Sequence, residues 1–171
     1  MGLDAVTTNG IAERADVNVA SLYSYFPNKY AVITALAMRS WDDGLSLMER
    51  MQVLGEERDW REALDQGIDA VFENWRSRPG SASLLLAQQV IPELRDLHDR
   101  TSALIVERVA TWLHLGGLIG GPKRARAIAS AIFFTTHSVA HAALLSEPED
   151  AERLITELKL LLVSYLENYA D

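Results

Sequence analysis

The 171-residue sequence predicts an all-α protein, with a short N-terminal helix-turn-helix followed by a bundle of longer helices. Three observations predict it. Apolar residues recur at three- and four-residue spacing along almost every segment, and no segment alternates with the period of two that a half-buried strand needs. Pro27, Pro79, Pro92, Pro148 and the glycines of residues 116–121 fall between these segments and punctuate them. Hydrophobic residues make up 49% and charged residues 23% of the chain, a globular rather than a disordered balance. A chain of this length forms one or two domains and can bury a sizeable core.

The first two helices are short. Thr7 or Thr8 can cap a helix running to about Ala15, because a hydroxyl accepts from an unpaired first-turn N–H. Gly10 inside it costs about 1 kcal/mol against Ala, which a close contact with backbone or DNA would explain. Ile11, Ala12 and Ala15 share one face, Asp16-Val17-Asn18 interrupts, and Leu22 and Phe26 resume the helical spacing toward the core. Asn18 is a good N-cap for the second segment, and Val17 before it can staple to Leu22 and fix the interhelical angle. Two short helices joined by a tight turn form a helix-turn-helix, whose second helix enters a DNA major groove.

These residues carry a family pattern as well as a motif. Ile-Ala-x-x-Ala at 11–15, a turn ending in Val, and Leu-Tyr-x-Tyr-Phe-Pro-Asn-Lys at 22–29 resemble the DNA-binding domain of TetR/AcrR-type transcriptional regulators. Thr7-Thr8 before them and Ala31, Val32, Ile33, Ala35 and Leu36 after them continue the match. The resemblance covers roughly the first 45 residues; the remainder is similar to the family only in length and helical content. In the relatives a first helix packs behind the helix-turn-helix and often carries a basic arm. Residues 1–6 read as the loop after that helix, so the expectation is a head from which the first helix is missing.

The resemblance makes Asn18, Val19, Ala20, Ser21, Tyr23, Ser24 and Tyr25 the DNA-contact candidates on the recognition segment. Tyr23 and Tyr25 can reach phosphates through their hydroxyls, small Ala20 and Ser21 let the helix sit deep, and Val19 can touch a thymine methyl. Thr7 and Thr8 at a helix N-terminus are phosphate candidates, and Lys29 stands where the family's lysine contacts the backbone. Net charge of −8 runs against phosphate neutralisation, and Asp4, Glu13, Asp16, Asp42 and Asp43 outnumber Arg14, Lys29 and Arg39 in the first 45 residues. Helix N-termini and hydroxyl donors can hold phosphates without formal charge.

A long helix begins near Lys29 after the Pro27-Asn28 break, with Ala31, Val32, Ala35, Leu36, Met38, Trp41, Leu45, Leu47, Met48 and Met51 on its apolar side. It links head and body, and we divide the chain into a head, 1–45, and a body, 46–171. Residues 55–58 form a polar break. Asp59 and Glu62 make a capping-box pair before the stripe Leu64, Ile68, Val71, Phe72 and Trp75, and Arg78-Pro79-Gly80-Ser81 ends that helix. The segment from Leu84 to Val90 stops at Ile91, because a residue before proline avoids the α region. Pro92 opens the next helix, which carries Leu94, Leu97, Leu104, Ile105, Val109 and Trp112 up to the glycine-rich turn.

Residues 125–145 are apolar almost all round and should be buried on more than one side. Ser146-Glu147-Pro148-Glu149 reads as a capping-box start. The last helix carries Leu154, Leu158, Leu161 and Tyr165 on one stripe and Ile155, Leu162, Leu166 and Tyr169 on the next. Two apolar stripes exceed what one core needs, so a symmetric interface of two helices per subunit is expected, with Leu154, Leu158, Leu161, Leu162 and Tyr165 in it. Dimerisation of the relatives through these helices supports it.

Catalytic chemistry finds no support in the residues. There is no Cys for a disulfide, thiolate or thiolate-bound zinc, no Gly-x-Ser-x-Gly elbow, and no Lys-Ser/Thr after the glycines of 116–121. His137 and His141 are four apart, but no Glu or Asp completes a metal set, and they read as the polar lining of a pocket or seam. His98, between Asp96 and Asp99, reads as a solvated face. No cofactor, no metal and no enzyme activity are expected. No apolar run reaches a bilayer-spanning length, since residues 125–145 contain Ser130, Thr135, Thr136, His137, Ser138 and His141, and no signal-peptide pattern opens the chain. A cytoplasmic location with no membrane partner is the expectation.

Phe72, Trp75, Gln88, Gln89, Trp112, Phe133, Phe134 and His137 supply aromatic walls and polar handles on neighbouring helices, where bundles commonly place ligand sites. Taken with the resemblance, they imply a homodimeric, ligand-responsive transcriptional regulator. It would be a repressor with a double-stranded DNA operator and a small-molecule effector, released by a shift in population between body conformations. The residues alone also allow a helical ligand-binding or protein-interaction module that does not bind DNA, and a helical-bundle enzyme would need a metal or cofactor.

Overall fold

The computed structural model describes residues 5–55, 59–78 and 80–170; the side chains of residues 48–55, 86, 88–90 and 93 lie outside that description, and so do Met48 and Met51 of the expected apolar face. The described residues form eight helices and no strand. They are α1 (Thr8–Arg14), α2 (Val19–Tyr25), α3 (Lys29–Gly55), α4 (Trp60–Arg76), α5 (Ser81–Val90), α6 (Pro92–Leu115), α7 (Pro122–Leu144) and α8 (Pro148–Glu167).

Local chemistry sets the head. Thr7 caps α1 by accepting from the Gly10 N–H at 3.1 Å, and a Cβ on Gly10 would lie 3.2 Å from that same oxygen. The glycine therefore serves the cap. α1 closes in a Schellman turn, with the Val17 N–H bonding the Ala12 carbonyl at 3.0 Å and the Asp16 N–H bonding the Glu13 carbonyl at 3.2 Å. Asp16 takes the left-handed conformation this turn requires, at φ 53°. Asn18 caps α2 by accepting from the Ala20 N–H at 2.8 Å, and Asn28 opens α3 by accepting from the Ala31 N–H at 3.0 Å. Thr8 Oγ1 and the Tyr23 hydroxyl lie 2.8 Å apart and join α1 to α2. Val17 stays 46% exposed, so these hydrogen bonds carry more of the interhelical geometry than the expected staple does.

The body has two cores. The larger runs through α4, α6, α7 and α8 and includes Ile68, Phe72, Val106, Leu113, Ile128, Ile132, Ile155, Leu158, Leu162 and Leu166. The smaller joins Ile33 and Ala37 of α3 to Ala87 of α5 and to Ile91 and Leu94 at the start of α6. α3 thus enters the body through a core of its own. α4 and α8 are tied along their length by Arg61–Glu167, by Lys159 between Asp65 and Asp69, and by Arg76–Glu152, at 2.6–3.0 Å. Exposed pairs of this kind contribute about 0.2–1 kcal/mol each, so they set alignment more than stability.

Two expectations are corrected here. The capping box before α8 does not form: Ser146 Oγ donates back to the Ala142 carbonyl at 2.9 Å, and Glu147 occupies the cap position without a side-chain bond. Pro148 in the first turn needs no N–H partner, which lowers the demand for a cap. α7 is, by length and composition, apolar enough to cross a membrane, because its Ala, Ile and Phe residues outweigh its scattered hydroxyls and imidazoles. Here it packs against α6 and α8 with Ala125, Ala129 and Ala140 fully buried.

Candidate functional site

α2 has no buried residue. Val19 is 37%, Tyr23 50% and Tyr25 80% exposed, and Asn18, Ala20, Ser21 and Ser24 are exposed as well. A seven-residue helix that shows two aromatic rings to water is arranged for contact rather than for packing. The hydroxyls around it have internal bonds: Thr7 with its cap, Thr8 with Tyr23, and Ser24 Oγ donating to the Ser21 carbonyl at 2.6 Å. Lys29, at the first turn of α3, places Nζ 5.4 Å from the Tyr30 ring centre.

In the body, α3, α4, α6 and α7 surround a cavity of about 220 Å³. Of the expected pocket residues, Trp75, Trp112, Phe133 and His137 line it. Phe72 does not: it is 2% exposed and sits behind Trp75 in the core, ring centres 6.0 Å apart. Phe134 is also displaced, 57% exposed on the outside of α7, because adjacent helical residues point about 100° apart. Gln88 and Gln89 belong to α5, and their side chains lie outside the described residues.

The cavity brings in residues that the sequence reading assigned elsewhere or passed over. α3 contributes Ser40, Trp41, Gly44 and Leu47, α4 adds Asn74, and α6 adds His98, Thr101, Ser102, Ile105 and Arg108. His98 is the clearest correction. Its exposed neighbours Asp96 and Asp99 point elsewhere, while residues 98, 101, 102, 105, 109 and 112 share one helical stripe that faces the cavity. That periodicity was the available signal.

Within the cavity lining the His98 and His137 rings stand 5.0 Å apart. Trp41 approaches His98 at 5.8 Å, Trp75 meets His137 edge-on at 5.8 Å, and Phe133 stacks on His137 at 5.7 Å. Ser102 Oγ lies 3.4 Å from His98 Nε2. Burial, reinforced by the neighbouring His98 and His141, lowers the pKa of His137 to about 4. Burial also lowers that of His98, against an opposing pull from Asp99. Both imidazoles are therefore neutral at pH 7, each presenting one donor and one acceptor nitrogen. One turn beyond, His141 Nε2 is buried with no hydrogen-bond partner.

The cavity wall also touches the helix that leads to the head. Arg78, just past α4, reaches Ser40 Oγ at 3.4 Å and the Ser40 carbonyl at 3.3 Å, and pairs with Asp43 at 2.8 Å. Arg108 of α6 donates to the Leu45 carbonyl of α3 at 3.4 Å.

The expected subunit interface divides. Leu158 and Leu162 are 2% exposed and belong to the chain's own core, where α8 meets α4 and α7, so they are not available to a second subunit. Leu154 and Tyr165 are half-buried and Leu161 is 53% exposed. Phe134 on α7, Leu145 just past its end and Leu160 on α8 are further apolar residues left at the surface.

Comparison with known proteins agrees with this architecture at both ends of the chain. The family model of bacterial regulatory proteins of the tetR family matches residues 1–36, and that of the tetracyclin repressor-like C-terminal domain matches residues 59–166. Among solved structures, a TetR-family transcriptional regulator from Streptomyces coelicolor is 27% identical and superposes with a TM-score of 0.66, over 98% of this chain and 89% of that one. A TetR variant from Acinetobacter baumannii AYE, solved in complex with minocycline, is 21% identical with a TM-score of 0.59 over the same shares, a likeness of fold. No curated protein matches the chain. A surface helix built for a groove, a body cavity and a helix shared between them thus meet in one chain, which belongs to the TetR family of DNA-binding, ligand-responsive transcriptional regulators.

Proposed function

We propose that the chain acts as a cytoplasmic, homodimeric repressor that leaves its operator when a small effector fills the body cavity. The observation that carries this reading is the double role of α3. It follows the recognition helix directly in the chain and packs through Ile33 and Ala37 onto α5 and α6, while Ser40, Trp41 and Gly44, one to two turns further on, line the cavity. An effector that favours one position of the cavity wall moves α3 and changes the distance between the two recognition helices of a dimer. Half-sites about 34–36 Å apart tolerate little such change.

In this reading residues 1–45 are the DNA-binding head and 46–171 the effector and dimerisation body. Thr7, Thr8, Asn18, Val19, Ala20, Ser21, Tyr23, Ser24, Tyr25 and Lys29 form the operator surface. Leu154, Leu161 and Tyr165 on α8, together with Phe134 on α7, form the subunit interface, supported by the exposure of Leu161 and Phe134. The complex of a distant fold relative with minocycline supports a small organic effector as the ligand type. Regulators of this family are generally non-enzymatic, and no catalytic step is assigned.

Selection from genomic duplex fragments with the purified chain tests the proposal. Site-specific binding that weakens steeply with salt is expected. Binding with no sequence preference would overturn the operator reading.

A further inference from the structure

We propose that the effector is a flat aromatic acid, its ring held by Trp75, Phe133 and Trp41 and its acidic group placed at the His98–His137 pair. The inference rests on the cavity being the effector site. It follows from what the wall holds and what it omits. No Asp or Glu is among the described residues lining the cavity, and its one fixed charge is the guanidinium of Arg108. A desolvated organic cation would find no carboxylate there, and burying an unmatched charge is strongly unfavourable.

An anion finds the opposite. The two imidazole rings lie 5.0 Å apart at a tilt of 47°, with the Ser102 hydroxyl beside His98, and all three groups line the cavity and carry a donor. Around the pair stand His141 from α7 and the uncharged rings of Trp41 and Trp75 from α3 and α4, while exposed Asp99, next to His98 in the chain, lies off the cavity wall and acts on His98 only through its charge. Burial holds both imidazoles neutral, and His98 further disfavours a proton on His137. A carboxylate bound beside the pair favours the charged imidazolium, so a proton is taken up as the acid binds. The remaining wall is apolar and aromatic, and offers ring faces to a planar ligand.

Three isosteric probes test the class: 2-naphthoate, 2-naphthamide and 2-naphthylmethylammonium, titrated into the full chain by following tryptophan fluorescence. The acid is expected to bind about tenfold tighter than the ammonium and several-fold tighter than the amide, about 1.4 kcal/mol for each tenfold. At pH 6 the heat of naphthoate binding should depend on buffer ionisation enthalpy, showing proton uptake, and His137→Gln should remove that dependence and the acid's advantage while the amide still binds. An amide equal to the acid, or an ammonium preferred to both, overturns the aromatic-acid class and leaves the cavity a ligand site. Binding of none of the three overturns the class and the cavity's effector role together.

Discussion

Arg78 holds Asp43 at 2.8 Å and reaches Ser40 in the preceding turn, so the residue just beyond α4 grips the helix that carries the head. Ser40 also lines the cavity, which puts this grip on the proposed route from ligand to DNA. The pair is only partly buried, so its worth in stability is about 0.5–1 kcal/mol. Its worth in coupling should be larger. Asp43→Asn is expected to leave the melting temperature within a few degrees while reducing ligand-driven operator release several-fold. A release assay with unchanged response would show that the head moves without this contact.

Tyr23 has two demands on one hydroxyl. It bonds Thr8 at 2.8 Å within the free head, and it is 50% exposed on the proposed operator surface. Tyr23→Phe should weaken operator binding about tenfold and cost about 0.5–1 kcal/mol of stability from the lost Thr8 bond. Thr8→Val removes the same internal bond and serves as the comparison. Because Thr8 is itself on the proposed operator surface, the deciding result is that of Tyr23→Phe: an unchanged affinity would mean that the Tyr23 hydroxyl serves only the internal bond to Thr8.

His137 makes stability depend on pH. Its folded pKa is lowered to about 4 from an ordinary 6.5, so between those values the unfolded chain binds the proton and the folded chain does not. Stability is fully present above pH 6.5 and falls as pH drops toward 4, by about 3 kcal/mol at most. His98, lowered in the same direction, adds to the fall. His137→Gln should flatten the profile in urea unfolding across this range. A wild-type midpoint that stays constant from pH 7 to pH 4.5 would contradict the burial of a neutral imidazole.

The interface can be separated from the core by choice of leucine. Leu161→Glu with Phe134→Glu places charges on residues 53% and 57% exposed, and should yield folded monomers in sedimentation. Leu158→Ala, at 2% exposure, should instead cost about 2–5 kcal/mol whatever the oligomeric state. A dimer that persists in the double variant would move the interface away from α7 and α8.

The fold was legible because its punctuation is chemical. Thr7, Asn18, Asp59 and Pro92 start helices for reasons visible in the residues themselves, and the structure places caps or first turns at each. The cavity was half legible. Trp75 and Phe72 lie three apart on one stripe, yet one meets the cavity and the other the core, and only the positions of α3, α6 and α7 decide between them. His98 was misread because its charged neighbours were weighed above its own helical phase. Leu158 and Leu162 were misread for a related reason: both stripes of α8 are apolar, and pattern alone does not say which one the chain keeps for itself. Gly44 carried no signal in the sequence.

Gly44 provides the most direct test of the account. It lies on α3 against the cavity, and a Cβ there meets nothing within 4 Å. Gly44→Leu should therefore keep the fold, favour the helix by about 1 kcal/mol, and fill the cavity from the side that leads to the head. The decisive measurement is the affinity of this variant and of the wild type for an operator obtained by selection. The account predicts specific, salt-sensitive binding by the wild type and about tenfold weaker binding by the variant, at an unchanged or raised melting temperature. Equal affinity of the two for the same duplex would contradict the coupling of cavity to recognition helix.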